Sequence, residues 1–180
     1  YEETKMNKSI LALIFSMFLA APMFAADLGG RVISIGSDTT YPPHEFIEDG
    51  VVKGFDVDVV AAICERINCV PNWVTTAWDG IFPALADGQF DMVVSGVTIT
   101  EERDKIVDFS DPYIIVQQGI LMRVSDKGAT IDDFISGAMK LASQNGTTNA
   151  ALGEELVGRD NLALFDSFNN AVIAVQNEDV

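Results

Sequence analysis

Strand-like and helix-like segments take turns along this chain, and polar loops follow the carboxyl ends of several strands. Arg31–Ser37 has the apolar alternation of a strand (Val32, Ile33, Ile35) and runs into the polar, proline-held loop Ser37–Pro43. Asp49-Gly50 reads as the hairpin turn between Glu45–Ile47 and Val51–Lys53. Gly54-Phe55-Asp56 then opens a helix, with Asp56 as its cap, Asp58 in its first turn and Val57, Val60, Ala61, Cys64 and Ile67 on one face. Val70–Val74 and Met92–Ser95 read as strands, and Pro83 falls in the first turn of a short helix between them. Ile114–Gln118 and Ile120–Val124 read as two apolar strands broken by Gly119. The alternation then resumes: a capped helix over Thr130–Gly137, a strand at Lys140–Ser143, a helix over Asn149–Leu156, a strand at Leu162–Phe165 and a last helix capped by Ser167. This order predicts an α/β fold with mostly parallel sheets, whose ligands sit beyond the carboxyl ends of the strands. The loops Ser37–Tyr41, Ser95–Arg103 and Asn145–Thr148 all occupy such ends.

The middle loop carries the sharpest signal. Met92–Ser95 leads through Gly96-Val97-Thr98-Ile99-Thr100 to Glu101-Glu102-Arg103. Thr100 is a good helix N-cap, which puts Arg103 in the first helical turn. Cations are disfavoured there because the helix dipole is positive at that end. A counter-charge is therefore needed. It is either a neighbour, Glu101 or Asp108, or a small carboxylate ligand gripped by Arg103 with the help of Ser95, Gly96 and Thr98. The other two loops suit the same guest. Asp38 offers an acceptor for a cationic group and Tyr41 an apolar wall. Thr147 and Thr148 open a helix, and Trp78, just before another helix, offers a second wall. A free amino acid needs such a set: donors for its carboxylate, acceptors for its ammonium and walls for its side-chain stem.

The formal charge of −16 argues against nucleic acid and anionic membrane surfaces as partners. Met6-Asn7-Lys8, the apolar run Ile10–Ala21 and the exit Pro22–Asp27 have the form of a secretory signal peptide cleaved near Ala25 or Ala26; Tyr1–Lys5 reads as upstream sequence. The chain is thus expected to act outside the cytoplasm, in the periplasm. In that compartment Cys64 and Cys69 are expected to form a local disulfide, the alternative being reduced core thiols. The single histidine, His44, belongs to no cluster with metal-ligand spacing, so neither a metal nor another cofactor is expected. The same scarcity leaves no nucleophile–histidine–acid set, and no phosphate-binding glycine loop is present.

Several motifs recur in order at the spacing of one family. These are Asp38-Thr39-Thr40-Tyr41-Pro42-Pro43, Gly54-Phe55-Asp56-Val57-Asp58-Val59 followed by Ile63, Cys64 and Ile67, Trp78-Asp79-Gly80-Ile81, Phe90-Asp91 through Arg103, and Asp108-Phe109-Ser110-Asp111-Pro112-Tyr113. From about Arg31 to Val180 the chain resembles the family 3 periplasmic solute-binding proteins of polar amino-acid ABC transporters. The resemblance implies a two-lobed periplasmic binding protein fold of type II, with residues 27–119 as the first lobe, 119–124 as the first hinge crossing and 125–180 as part of the second. It implies that Arg103 pairs with the ligand α-carboxylate, assisted by Thr98 and the backbone at Ser95–Gly96. Thr147 and Thr148 would close on that carboxylate from the second lobe, Tyr41 and Trp78 would sandwich the side chain, and Asp38 would meet its polar end. A membrane permease would be the partner of a monomeric binder.

The sequence departs from the family at two places. His44 stands where the family usually has an aromatic, and is expected to be a partly exposed loop residue, or else to line the pocket rim. The acid that takes the ligand ammonium in the family would follow Val180, so the second lobe is expected to be incomplete in this chain. The competing function is that of cyclohexadienyl (arogenate or prephenate) dehydratase-like enzymes, which share the fold.

Overall fold

The computed structural model describes residues 26–180. The expected leader, and the cleavage region up to Ala25, lie outside the described residues. Two parallel sheets and one antiparallel hairpin sheet organise the chain. In order, its first elements are β1 (Arg31–Ser37), β2 (Thr40–Tyr41), β3 (Glu45–Glu48), β4 (Val51–Lys53), α1 (Phe55–Ile67), β5 (Cys69–Thr75), α2 (Ile81–Ala86) and β6 (Met92–Val93). β1 lies between β5 and β6 and runs parallel to both, with Ile35 opposite Trp73 on one side and Met92 on the other. Ile35 is fully buried and packs with Val60, Cys64 and Val94. Burying such a side chain stabilises by about 1.5–3 kcal/mol. A second cluster joins Trp78, Ile81, Ala84 and Phe90. Gly36 allows it to meet the sheet, since a Cβ there would lie 2.6 Å from the Phe90 ring. The expected disulfide between Cys64 and Cys69 is present and ties the last turn of α1 to the first residue of β5.

The Asp49-Gly50 turn forms as expected, both residues having positive φ (53° and 76°), which matches a type I′ hairpin. The base of this hairpin is clamped to α1: Phe55 N–H donates to Pro43 O and Asp56 N–H to His44 O. The clamp requires Gly54, because a Cβ there would sit 2.2 Å from His44 O, and its φ is 131°. One expectation fails here. Asp56 does not cap α1; Gly54 holds the N-cap position and no side chain caps it. Asp56 instead turns inward, is fully buried and accepts the Gly96 N–H at 2.8 Å.

Farther along come α3 (Ile131–Ile135), β7 (Leu141–Gln144), α4 (Thr148–Val157), β8 (Leu162–Phe165) and α5 (Phe168–Gln176). A capping box between Thr130 and Asp133 starts α3, Thr147 caps α4, and Ser167 caps α5 through Asn170 N–H. β7 and β8 pair in parallel, and Phe134, Val157 and Leu162 form the core beneath them.

The two apolar strands expected over Ile114–Gln118 and Ile120–Val124 do not form. A strand exists only through a ladder partner, and this stretch finds none among the described residues; Ile115 is 93% exposed and Val124 90%. β6 is also shorter than expected. After Val94 N–H donates to Gly36 O, the chain leaves the sheet and delivers Ser95 and Gly96 to the loop.

Candidate ligand-binding site

The carboxyl ends of β1 and β6 face the start of α4 across a narrow cleft of about 70 Å³. All nine residues singled out in the sequence border it: Asp38, Tyr41, Trp78, Ser95, Gly96, Thr98, Arg103, Thr147 and Thr148.

Arg103 starts a single 3-10 turn (Arg103–Lys105) rather than an α-helix, and its N–H donates to the Thr100 hydroxyl as a cap would. Its guanidinium pairs with neither Glu101 nor Asp108. It donates to Thr98 O at 2.9 Å and Gly146 O at 3.3 Å, and stands 5.2 Å from the Trp78 ring and 5.1 Å from the Phe82 ring. Half-burial lowers its pKa, with Glu102 pulling the other way; a guanidinium stays charged regardless. Two carbonyls and two aromatic faces therefore hold a cation that no carboxylate neutralises among the described residues.

The hydroxyls divide into committed and available ones. Ser95 donates to Glu45 Oε1 at 2.7 Å and accepts Asp38 N–H at 2.9 Å, so it braces the loop from behind. Thr147 donates to Gln144 O and accepts Ala150 N–H, which spends its hydroxyl on capping α4. Thr98 and Thr148 meet across the cleft at 3.4 Å, and Gln118 Nε2 donates to Thr148. These two hydroxyls stand beside the guanidinium and the positive end of α4, where an anion is favoured.

The other end of the cleft is acidic and aromatic. Asp38 is buried and accepts from the Thr40 hydroxyl and the Gln144 amide. Tyr41 stacks on His44 and meets Phe168 edge-on, with ring centroids 5.1 and 4.8 Å apart. His44 is partly exposed, as expected, its side chain being 13% exposed. Trp78 is buried and donates its Nε1–H to Gly146 O at 3.0 Å.

A model of the bacterial extracellular solute-binding proteins, family 3, matches residues 33–179. This chain belongs to that family. The arginine-binding periplasmic protein of Mannheimia haemolytica is 32% identical over 173 residues, covering 96% of this chain and 67% of that protein. A probable histidine-binding protein of Neisseria gonorrhoeae is 34% identical over 151 residues, covering 82% of this chain and 56% of the relative. Among solved structures, an ancestral amino-acid-binding protein described as a precursor of cyclohexadienyl dehydratase superposes with a TM-score of 0.75 at 36% identity, covering 83% of this chain and 68% of that one. The chain spans roughly half to two-thirds of the length of these curated relatives. The fold of this family 3 protein is accordingly the type II α/β fold of amino-acid-binding proteins.

Several residues at this site, Gln118 among them, escaped the reading of the sequence, and four show why. Gln144 ends β7, so its place at a strand's carboxyl end was a usable signal. Phe168 opens α5 directly after the Ser167 cap, at an equivalent place on the next βα turn. Phe82 sits in the first turn of α2, where nothing in its spacing separates a wall from a core residue. Glu45 gave no signal: it reads as a polar hairpin residue, yet it is 1% exposed.

Proposed function

We propose that this chain binds a free polar amino acid outside the cytoplasm and delivers it to the membrane permease of an ABC transporter. The observation that carries this reading is Arg103, a half-buried cation without a carboxylate partner among the described residues, set beside two hydroxyls at a helix N-terminus. The ligand α-carboxylate supplies the missing charge, held by Arg103, Thr98 and the loop at Ser95–Gly96, and by Thr148 with the Thr147 turn from the opposite wall. Tyr41 and Trp78 enclose the side-chain stem. Asp38 receives its polar end, which favours a cationic or amide side chain, in keeping with relatives named for arginine and histidine.

Residues 27–119 act as the first lobe, 119–124 as a hinge crossing and 125–180 as part of the second. Bonds between Asp38 and Gln144, Arg103 and Gly146, and Thr98 and Thr148 now span the cleft, so the walls must part to admit a ligand. The protein works as a monomer in the periplasm after losing its leader near Ala25 or Ala26, and needs no cofactor. It is a binder rather than an enzyme.

The test is a thermal-shift screen of the twenty amino acids on the full-length protein, followed by calorimetry on the hits. Micromolar or tighter binding of one or a few polar amino acids, recovered unchanged, is the expected result. Turnover of arogenate or prephenate would replace this reading with the dehydratase one.

A further inference from the structure

Behind Tyr41, at the back wall of the cleft that Glu45 also borders, three polar groups converge and leave ligating atoms unused. Among the described residues only four buried side-chain nitrogen or oxygen atoms lack a hydrogen-bond partner, and three of them are His44 Nδ1, Glu45 Oε2 and Asp56 Oδ1. Glu45 is 1% exposed and Asp56 fully buried. One ligand atom from each of the three residues falls within 4.8 Å of the others, and His44 Nδ1 lies 3.7 Å from Asp56 Oδ1. The spacing in the sequence did not show this, because the Gly54 clamp folds residues 44–45 onto residue 56.

The cluster has an unbalanced charge. No lysine or arginine pairs with either carboxylate among the described residues. The remaining oxygens are taken: Glu45 Oε1 accepts the Ser95 hydroxyl and Asp56 Oδ2 accepts the Gly96 N–H. Two adjacent buried carboxylates need a proton or a cation between them. Burial, opposed by the Ser95 bond and reinforced by the neighbouring Asp56 and Asp38, raises the Glu45 pKa to about 9. An imidazole beside two carboxylates is also a donor set that suits a borderline metal better than calcium or magnesium, which take oxygen ligands in larger number.

We propose that His44, Glu45 and Asp56 form a three-ligand site for a divalent transition-metal ion such as Zn²⁺. Ligand atoms around a tetrahedral zinc sit about 3.4 Å apart at bond lengths near 2.1 Å, close to the 3.7 Å between His44 Nδ1 and Asp56 Oδ1, so binding draws Glu45 in from a separation of up to 4.8 Å. The ion neutralises both carboxylates. The fourth position falls to water from the groove on the far side of His44, a space of about 860 Å³ that His44, Gly96 and Tyr113 line. The bound ion also acts on the cleft: it fixes His44, on which Tyr41 stacks, and Asp56, which holds Gly96. The inference does not depend on which ligand, if any, the cleft binds.

The experiment is a calorimetric titration of EDTA-stripped full-length protein with Zn²⁺. One equivalent binds at micromolar affinity or tighter. His44→Phe keeps an aromatic ring against Tyr41 and lowers the affinity at least 30-fold, with an unchanged circular dichroism spectrum. Co²⁺ loaded in place of zinc gives the visible absorption of a low-coordinate site in the wild type and loses it in His44→Phe. If His44→Phe disturbs the fold, Glu45→Gln gives the same comparison, since it preserves the shape of the protonated acid. Equal zinc affinity in wild type and variants overturns the proposal, as does absence of one-equivalent binding at 1 mM Zn²⁺. Either result leaves a cluster held by protons alone.

Discussion

On the β1 side of the cleft, the groups at the proposed ligand's place are braced from behind: Ser95 by Glu45, and Gly96 by Asp56. On the β7 side, Thr148 has hydroxyl contacts only with Thr98 and Gln118 among the described residues, and Gln144 reaches across to Asp38 while also touching Asp166 O. The first wall stands on a three-stranded sheet with a disulfide at its edge, the second on two strands and self-capped helices. The difference suits a division of labour. A preformed wall receives the ligand with little ordering cost, and a wall held by its cross-cleft contacts can let go and return.

The largest effect should come from the cation of the preformed wall. Arg103→Ala should weaken binding of the amino-acid ligand by a factor of 100 or more, about 3 kcal/mol, because a buried carboxylate loses its partner. Calorimetry is the measurement. Affinity within threefold of wild type would mean that the first wall is not where the carboxylate binds, and the contrast between the walls would lose its functional meaning.

The disulfide tests whether the first wall is rigid by construction. The bond closes a short loop, Cys64 and Cys69 being five positions apart, so removing it should cost about 2 kcal/mol by the loop-entropy estimate. Cys64→Ser/Cys69→Ser protein should show that loss in urea unfolding, with ligand affinity little changed. A loss of affinity larger than the loss of stability would show that the α1–β5 edge reaches the cleft.

Glu45 provides a pH test of the same wall, to be made in EDTA. Its pKa is raised from 4.5 to about 9 in the folded protein. Between those values the folded state holds a proton that the unfolded state has released. That contribution is therefore complete below pH 4.5 and is lost as pH rises through about 9. The melting temperature should fall over this window, and Glu45→Gln should flatten the fall. An unchanged slope in the variant would place the buried acid outside the balance of charge in this wall.

How far the sequence told the walls apart follows from these residues. The βα alternation and the loops at strand ends were legible because hydrophobic period and cap residues are local; Thr130, Thr147 and Ser167 cap the helices they announce. The hydroxyls of Ser95 and Thr147 looked available for a ligand; the commitment of Ser95 to Glu45 is tertiary, whereas that of Thr147 to Ala150 is the local cap itself. Asp56 looked like a cap because it opens a helix; the Gly54 clamp, not any local preference, turns it inward. Ile114–Gln118 and Ile120–Val124 have the composition of strands, but pairing is a property of a partner, which composition does not carry.

The smallest expected effect tests the second wall. Thr148→Val keeps shape and helix position while removing the hydroxyl that meets Thr98 and Gln118. If the second wall contributes mainly by closing, the lost hydrogen bond should cost about 1 kcal/mol, a fivefold rise in Kd. The change should appear in the dissociation rate if, as proposed, closure follows docking on the first wall and holds the ligand once it is there. Stopped-flow fluorescence from Trp78, which bonds to the second wall at Gly146 O, reads both rates. A slower association with unchanged dissociation would break the comparison, because it would mean that the ligand meets the second wall first.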